Sequence, residues 1–179
     1  MKMNKFAQEV HENAVNHGWW EEPRSFGEII ALCHSELSEA LEEFRAKRPM
    51  LYAEGEKPEG IAVELADCII RVMDWLGKEE FDVDELLLEA RTAVMCDVPC
   101  RIYNATLGDS IARWHLLLSL AYSCWCRASG TRASALRMAR CVCEISEWSA
   151  AEGVDLETVL HIKHDYNKTR PYRHGGKAL

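Results

Sequence analysis

Residues Ser25–Phe44, SFGEIIALCHSELSEALEEF, followed by Glu59–Ile70, EGIAVELADCII, decide the fold. In the first stretch Ser25, with Glu28 three residues on, forms a capping box, the signature of a helix start. Ile29, Ile30, Cys33, Leu37, Ala40, Leu41 and Phe44 then recur at helical spacing as one apolar stripe, carrying the helix to about Lys47. After a polar loop, Pro58 suits the first turn of a further helix. Ile61, Leu65, Cys68, Ile69, Val72 and Leu76 point inward along it until Gly77. Two consecutive amphipathic helices predict an all-α architecture.

The same punctuation recurs on either side and predicts about seven helices. One runs from about Asn4 to His17 and stops at Gly18, and Asp82 caps a fourth reaching about Val94. A fifth spans about Leu107–Arg127 and a sixth Thr131 to about Ala151. Gly153 and Asp155 open a seventh that ends near Lys168. The terminal TRPYRHGGKAL, with Pro171 and paired glycines, is expected to be a non-helical basic tail.

Composition narrows the function. The 179 residues include 10 glycines and 5 prolines, and 28% are charged, which favours long helices over turn-rich sheets. A net charge of −8 repels nucleic-acid backbones, leaving room for one local basic pocket. The N-terminus MKMNKFAQEVHENAV lacks the apolar run of a signal peptide, and Trp114–Cys126 is too short to span a bilayer. A cytoplasmic protein with neither membrane nor nucleic acid as partner is expected. The eight cysteines, with pairs such as Cys96/Cys100, Cys124/Cys126 and Cys141/Cys143, lack the C-x-x-C spacing of zinc sites. They read as small buried hydrophobes in a reducing compartment.

The chemistry lies in four carboxylates. Glu36 and Glu39 are spaced i,i+3 on the second helix, and Glu64 and Asp67 have the same spacing on the third. Glu36 shares a stripe with Cys33 and Ala40, and Glu64 with Ile61 and Cys68, so these acids border the apolar face, where an unpaired charge is expensive. Two such pairs on adjacent antiparallel helices can converge into an oxygen-only nest suited to Mg²⁺, with Mn²⁺ as a substitute. Glu43 continues the row, as an accessory ligand or as a partner of Lys47.

On these residues, Glu36-Leu-Ser-Glu39 and Glu64-Leu-Ala-Asp67, the chain resembles the MazG-like all-α nucleoside triphosphate pyrophosphohydrolases, whose signature is E-x-x-E on one helix and E-x-x-D on the next. The string KHDYNKTRPYRHGGK is similar to the end of short phage-like and bacterial members. The resemblance implies that Lys163, Asn167, Arg170 and Arg173 face the nucleotide phosphates, and that Trp19 and Trp20 in HGWWEEP are candidates to stack on the base. One of the two tryptophans is expected instead to anchor its loop to the core.

The chain departs from that pattern in length, because roughly seventy extra residues precede the C-terminal string. They read as a degenerate copy of the first half. A shift of 81 pairs Gly27, Ile30, Ala31, His34, Ser38 and Ala40 with identical residues at 108, 111, 112, 115, 119 and 121. A shift of 73 pairs Ala66, Cys68, Trp75, Glu79, Asp82 and Leu87 with identical residues at 139, 141, 148, 152, 155 and 160, the change in shift falling around Ser129–Thr131. Residues 1–97 would form a metal-binding repeat and 104–179 a degenerate one, fused as a pseudo-dimer in a single domain, 1–179. The acids are replaced in the second copy by Leu117, Leu120, Arg137 and Arg140. In the first copy Ala90, Val94 and Asp97 stand where the second has Lys163, Asn167 and Arg170. These complementary losses predict one composite site per chain, in a monomer or a homo-oligomer, with Leu116, Leu117, Leu118 and Leu120 serving as packing residues.

The expected reaction is Mg²⁺-dependent cleavage of a (deoxy)nucleoside triphosphate to the monophosphate and pyrophosphate, a house-cleaning activity on the nucleotide pool. Glu36, Glu39, Glu64 and Asp67 would hold the metal. Glu39, or else Glu36, would act as general base. Lys163 and Arg170 would clamp the outer phosphates. The alternative is a non-catalytic nucleotide-binding or interaction protein that retains the fold. His34, matched by His115 in the copy without ligands, is expected to be structural; His164 and His174 carry no assigned role.

Overall fold

In a computed structural model of the chain, the structure describes residues 2–95, 105–127 and 130–176. Cys96, Asp97, Cys100, Ser129, Lys177 and the side chain of His174 lie outside the described residues. The elements run α1 (Met3–Asn16), α2 (Phe26–Arg45), β1 (Tyr52–Glu54), β2 (Lys57–Glu59), α3 (Ile61–Lys78), α4 (Val83–Thr92), α5 (Leu107–Cys126), α6 (Thr131–Ala151), α7 (Leu156–Thr169) and a one-turn α8 (Arg173–Gly176). The all-α expectation holds, with one small hairpin added. No helix among the described residues is long and apolar enough to cross a membrane.

Local chemistry sets the helix starts. The Ser25 hydroxyl accepts from Glu28 N at 3.1 Å while the Glu28 carboxylate accepts from Ser25 N at 2.6 Å, closing the expected capping box. Thr106 and Asp109 form a second box at α5. Asp82 and Asp155 cap α4 and α7 through the backbone N–H groups of Glu85 and Thr158. The first turns of α1 and α4 also cap each other: Asn4 Oδ1 accepts from Val83 N and Asp84 N, and Asp84 Oδ1 accepts from Met3 N.

Several boundaries differ from the sequence expectation. Pro58 is not in a helical turn but in β2, which pairs antiparallel with β1 in the register Tyr52↔Glu59, Ala53↔Pro58 and Glu54↔Lys57. A two-stranded ribbon has outward edges, so a residue without an N–H is tolerated there. The helix begins three residues later, after Gly60 at φ +117°, where an added Cβ would lie 2.6 Å from the Met50 carbonyl oxygen. Helix α2 ends at Arg45, two residues short of Lys47, which turns to φ +55°. Helix α4 stops at Thr92 rather than near Val94, and the C-terminal tail, expected to be non-helical, makes the short α8. Phe44, expected to face inward, is exposed.

Packing follows the apolar stripes. Helix α3 is the centre, with Ile61, Leu65, Cys68, Ile69, Val72 and Leu76 all buried. It contacts α2, α1 and α7, while α6 contacts α5 and α4, and α2 lies against α5. Leu117 and Leu118 are fully buried and Leu116 and Leu120 partly so. Cys33, Cys68, Cys141 and Cys143 are buried thiols, whereas Cys124 is half-buried and Cys126 exposed. At the α2–α5 contact the His34 and His115 rings stack, and deeper in, the buried Cys141 thiol adjoins that of Cys68 and raises its pKa.

Candidate metal centre and the adjoining cleft

Glu36 on α2 and Glu64 and Asp67 on α3 bring one carboxylate oxygen each within 4.8 Å of the others. Glu36 and Glu64 are only 5% and 6% exposed. Two cations meet the three acids. Arg71 Nε donates to Glu36 Oε1 at 2.6 Å, and Lys163 Nζ, on α7, lies 2.8 Å from Asp67 Oδ2. The Lys163 side chain is 3% exposed and that of Asp67 17%, so the ammonium is buried while the carboxylate keeps an open side.

Burial, reinforced by the charge of Asp67 and partly offset by Lys163, pushes the Glu64 carboxyl up to about 8. Burial also raises Glu36, against the pull of the Arg71 guanidinium. Burial penalises the ionised form of both acids, and positive charge beside them would restore it. An all-oxygen set in such surroundings fits a hard divalent cation.

Glu39 does not join the triad. It stands at the exposed rim, where its Oε1 accepts from Ser35 Oγ at 3.0 Å. Glu43 lies further along, outside the triad, with its Oε2 buried and unpartnered; among the described residues no ion pair joins it to Lys47.

Asp67 also lines an open cleft walled by α1, α3, α7 and the loop after α1. Asn167 reaches it from α7, one turn after Lys163, and Arg170 from the extended residue that ends the helix. Trp19 lines it too, with the Arg24 guanidinium 4.8 Å from the centre of its ring. Trp20 takes the anchoring part: its Nε1 donates to Asp74 at 2.9 Å and Lys78 lies over its ring. Arg173 stands outside the cleft, bound to the Gly18 carbonyl and near Glu21, and lines a smaller neighbouring recess.

Sequence reasoning passed over Arg71, Arg24, Asp74 and His164. Arg71 was detectable, being i+7 from Glu64 and i+4 from Asp67 on one helical face. Arg24 lies in a loop with no periodicity to flag it. His164, 1% exposed, lines the cleft with its Nε2 unpartnered, and the Oδ1 of Asn167 one turn on is likewise buried and unpartnered. Burial, followed by the nearby Lys168 charge, lowers the His164 pKa and favours the neutral ring.

In the second half the positions matched to the acids are filled otherwise. Arg140 donates to Glu144 at 2.9 Å and to the Ala90 carbonyl at 2.7 Å, and Arg113 donates to the other Glu144 oxygen at 2.6 Å. Leu117 is fully buried. Among the described residues, Glu36, Glu64 and Asp67 form the one group of three side chains placed to share an ion. No family model, curated protein or solved structure matches the chain.

Proposed function

We propose that the protein is a cytoplasmic, Mg²⁺-dependent nucleoside triphosphate pyrophosphohydrolase of MazG-like type, with one composite site per chain. The observation that carries this reading is the junction of the acid triad with the cleft: Asp67 belongs to both, and Lys163, Asn167 and Arg170 approach it from a helix about a hundred residues away in sequence. Acids that suit a metal and cations that suit phosphate thus meet at one residue.

The duplication draws support from which residues touch. His34 and His115, matched by the shift of 81, stack on each other, and Cys68 and Cys141, matched by 73, are neighbouring buried thiols. The contact of Lys163 with Asp67 has a counterpart displaced by 73 in each chain segment, that of Ala90 with Arg140. Self-matching contacts of this kind are what a two-fold relationship produces.

In the proposed reaction, water attacks the α-phosphorus and the bond to the β-phosphate oxygen breaks, releasing pyrophosphate. A Mg²⁺ ion held by Glu36, Glu64 and Asp67 supplies Lewis acidity toward the phosphate oxygens. Glu39, exposed at the rim and not tied to a cation as Glu36 is tied to Arg71, takes the proton from the attacking water. Arg170 offers a bidentate fork to the outer phosphates, Lys163 a point charge, and Trp19 a face for the base.

The test is pyrophosphate release from a panel of ribo- and deoxynucleoside triphosphates with and without Mg²⁺. Release that needs the metal and vanishes in Glu64→Gln and Asp67→Asn is expected; no release from any nucleotide by folded protein overturns the catalytic reading. A second reading, a nucleotide-binding protein without turnover, draws on Arg71 and Lys163 already neutralising two of the three acids. Nucleotide binding without pyrophosphate would select it.

A further inference from the structure

The three carboxylates face two resident cations, and the two are placed differently. Arg71 is on α3 with Glu64 and Asp67, and its planar guanidinium is bonded to Glu36 within the same pair of packed helices. Lys163 comes from α7, and its ammonium sits at the end of a four-carbon stem, a compact charge whose position can change by bond rotation alone. Its ammonium lies against Asp67, which lines the cleft, and its stem stands one helical turn before Asn167, which lines the cleft as well.

That cleft carries independent signs of a ligand. His164 is 99% buried with Nε2 unpartnered, and Asn167 Oδ1 is buried without a partner beside it. Buried polar atoms are ordinarily satisfied, and leaving one unmade costs roughly 1–3 kcal/mol. Arg170 also lines this space, so a ligand that carries negative charge and also offers a hydrogen-bond donor to Asn167 Oδ1, as a nucleotide's hydroxyl or amino groups do, fits it.

Resting on the proposed function, we infer that Lys163 is an exchangeable counter-ion that couples metal binding to nucleotide binding. Without nucleotide, its ammonium occupies Asp67 and opposes entry of a divalent cation. Phosphate in the cleft offers it a second anionic partner, and its departure frees Asp67 as a ligand. Each of the two therefore strengthens the other, and by linkage both are strengthened by the same factor.

The test uses the full chain, Mn²⁺ as the metal, and a nucleoside triphosphate with an α,β-imido bridge that resists cleavage, with dissociation constants from calorimetry. In the wild type, Mn²⁺ alone binds weakly and is tightened at least about fivefold by the analogue, the lower end of ordinary coupling. In Lys163→Met, Mn²⁺ alone binds at least about fivefold more tightly than in the wild type, and the mutual enhancement shrinks. Lys163→Gln, which keeps a hydrogen-bond donor without the charge, moves in the same direction and covers a folding failure of the first variant. Lys168→Met, which removes an exposed lysine paired with Asp165, changes neither quantity. Folded Lys163 variants that bind Mn²⁺ no more tightly than the wild type overturn the inference while leaving the metal site standing. Absence of Mn²⁺ binding in every protein, with and without analogue, overturns the site itself.

Discussion

His34 and His115 stack across the α2–α5 contact with ring centres 4.8 Å apart and their Nδ1 atoms 2.6 Å apart. The short separation requires one Nδ1 to donate and the other to accept, so the pair shares a proton and cannot be doubly charged without repulsion. Burial lowers both pKa values, with the neighbouring ring adding to the effect at His34. A base whose folded pKa is depressed lends stability above its unfolded value, near 6.5, and loses it as pH falls through the folded one. The melting temperature of the wild type is therefore expected to fall, relative to a His34→Phe/His115→Phe protein, between pH 7.5 and 5. Parallel melting curves for the two proteins across that range would exclude this role.

Glu64 gives the opposite sign. Its carboxyl, raised to about 8, favours folding while protonated and ceases to do so as pH rises through that value. Glu64→Gln should melt at least about 2 °C higher than wild type in EDTA at pH 9, a gain of about 1 kcal/mol for a chain of this size. Added Mg²⁺ should stabilise the wild type and leave the variant unmoved. A variant that melts lower in EDTA at pH 9 contradicts the buried-charge account.

The adjacent tryptophans should separate cleanly. Trp20→Phe removes a hydrogen bond to the Asp74 carboxylate, worth about 1.5–3 kcal/mol for a charged acceptor, and is expected to lower stability. Trp19→Phe, which keeps an aromatic face beside Arg24, should lower stability less than Trp20→Phe and raise KM for the nucleotide. Denaturant titration and steady-state kinetics on both variants read the difference, and the reverse assignment would place the base elsewhere.

Gly60 joins the hairpin to α3. Its carbonyl accepts from Glu64 N at 3.1 Å, while its positive φ and the nearby Met50 carbonyl exclude a side chain. Gly60→Ala should cost about 1–3 kcal/mol of stability and weaken metal binding with it. Gly55→Ala, also at positive φ but with open space around it, is the milder comparison. Equal losses in the two, measured by chemical denaturation, would remove the Met50 contact from the explanation.

Features encoded within one helical turn were legible in the sequence. Ser25 with Glu28, Asp82 and Asp155 each announce a helix start through their own side chains, and the structure puts the caps there. The β1–β2 hairpin was not, because strands of three residues show no alternation and Pro58 fits a first helical turn as readily as an edge strand. In the candidate site, helical spacing brings Glu36, Glu64 and Asp67 to one edge, but the same i,i+3 spacing that unites Glu64 with Asp67 leaves Glu39 at the exposed rim, because the way α2 packs on α3 decides which acid of a pair turns inward. The pairing of Arg71 with Glu36 and the place of Arg24 depend on distances between elements, which no single segment encodes.

The Arg113–Glu144–Arg140 cluster carries a consequence for how such a chain changes over time. In a symmetric dimer every substitution appears twice, so an arginine introduced opposite one metal site would be introduced opposite both. On the duplication proposed here, fusion lifts that constraint, and the permanent guanidinium of Arg140 stands where the other half keeps Asp67 for an exchangeable ion. One half is then a scaffold held by its own charges in any ionic medium, and the other is free to be tuned by what it binds.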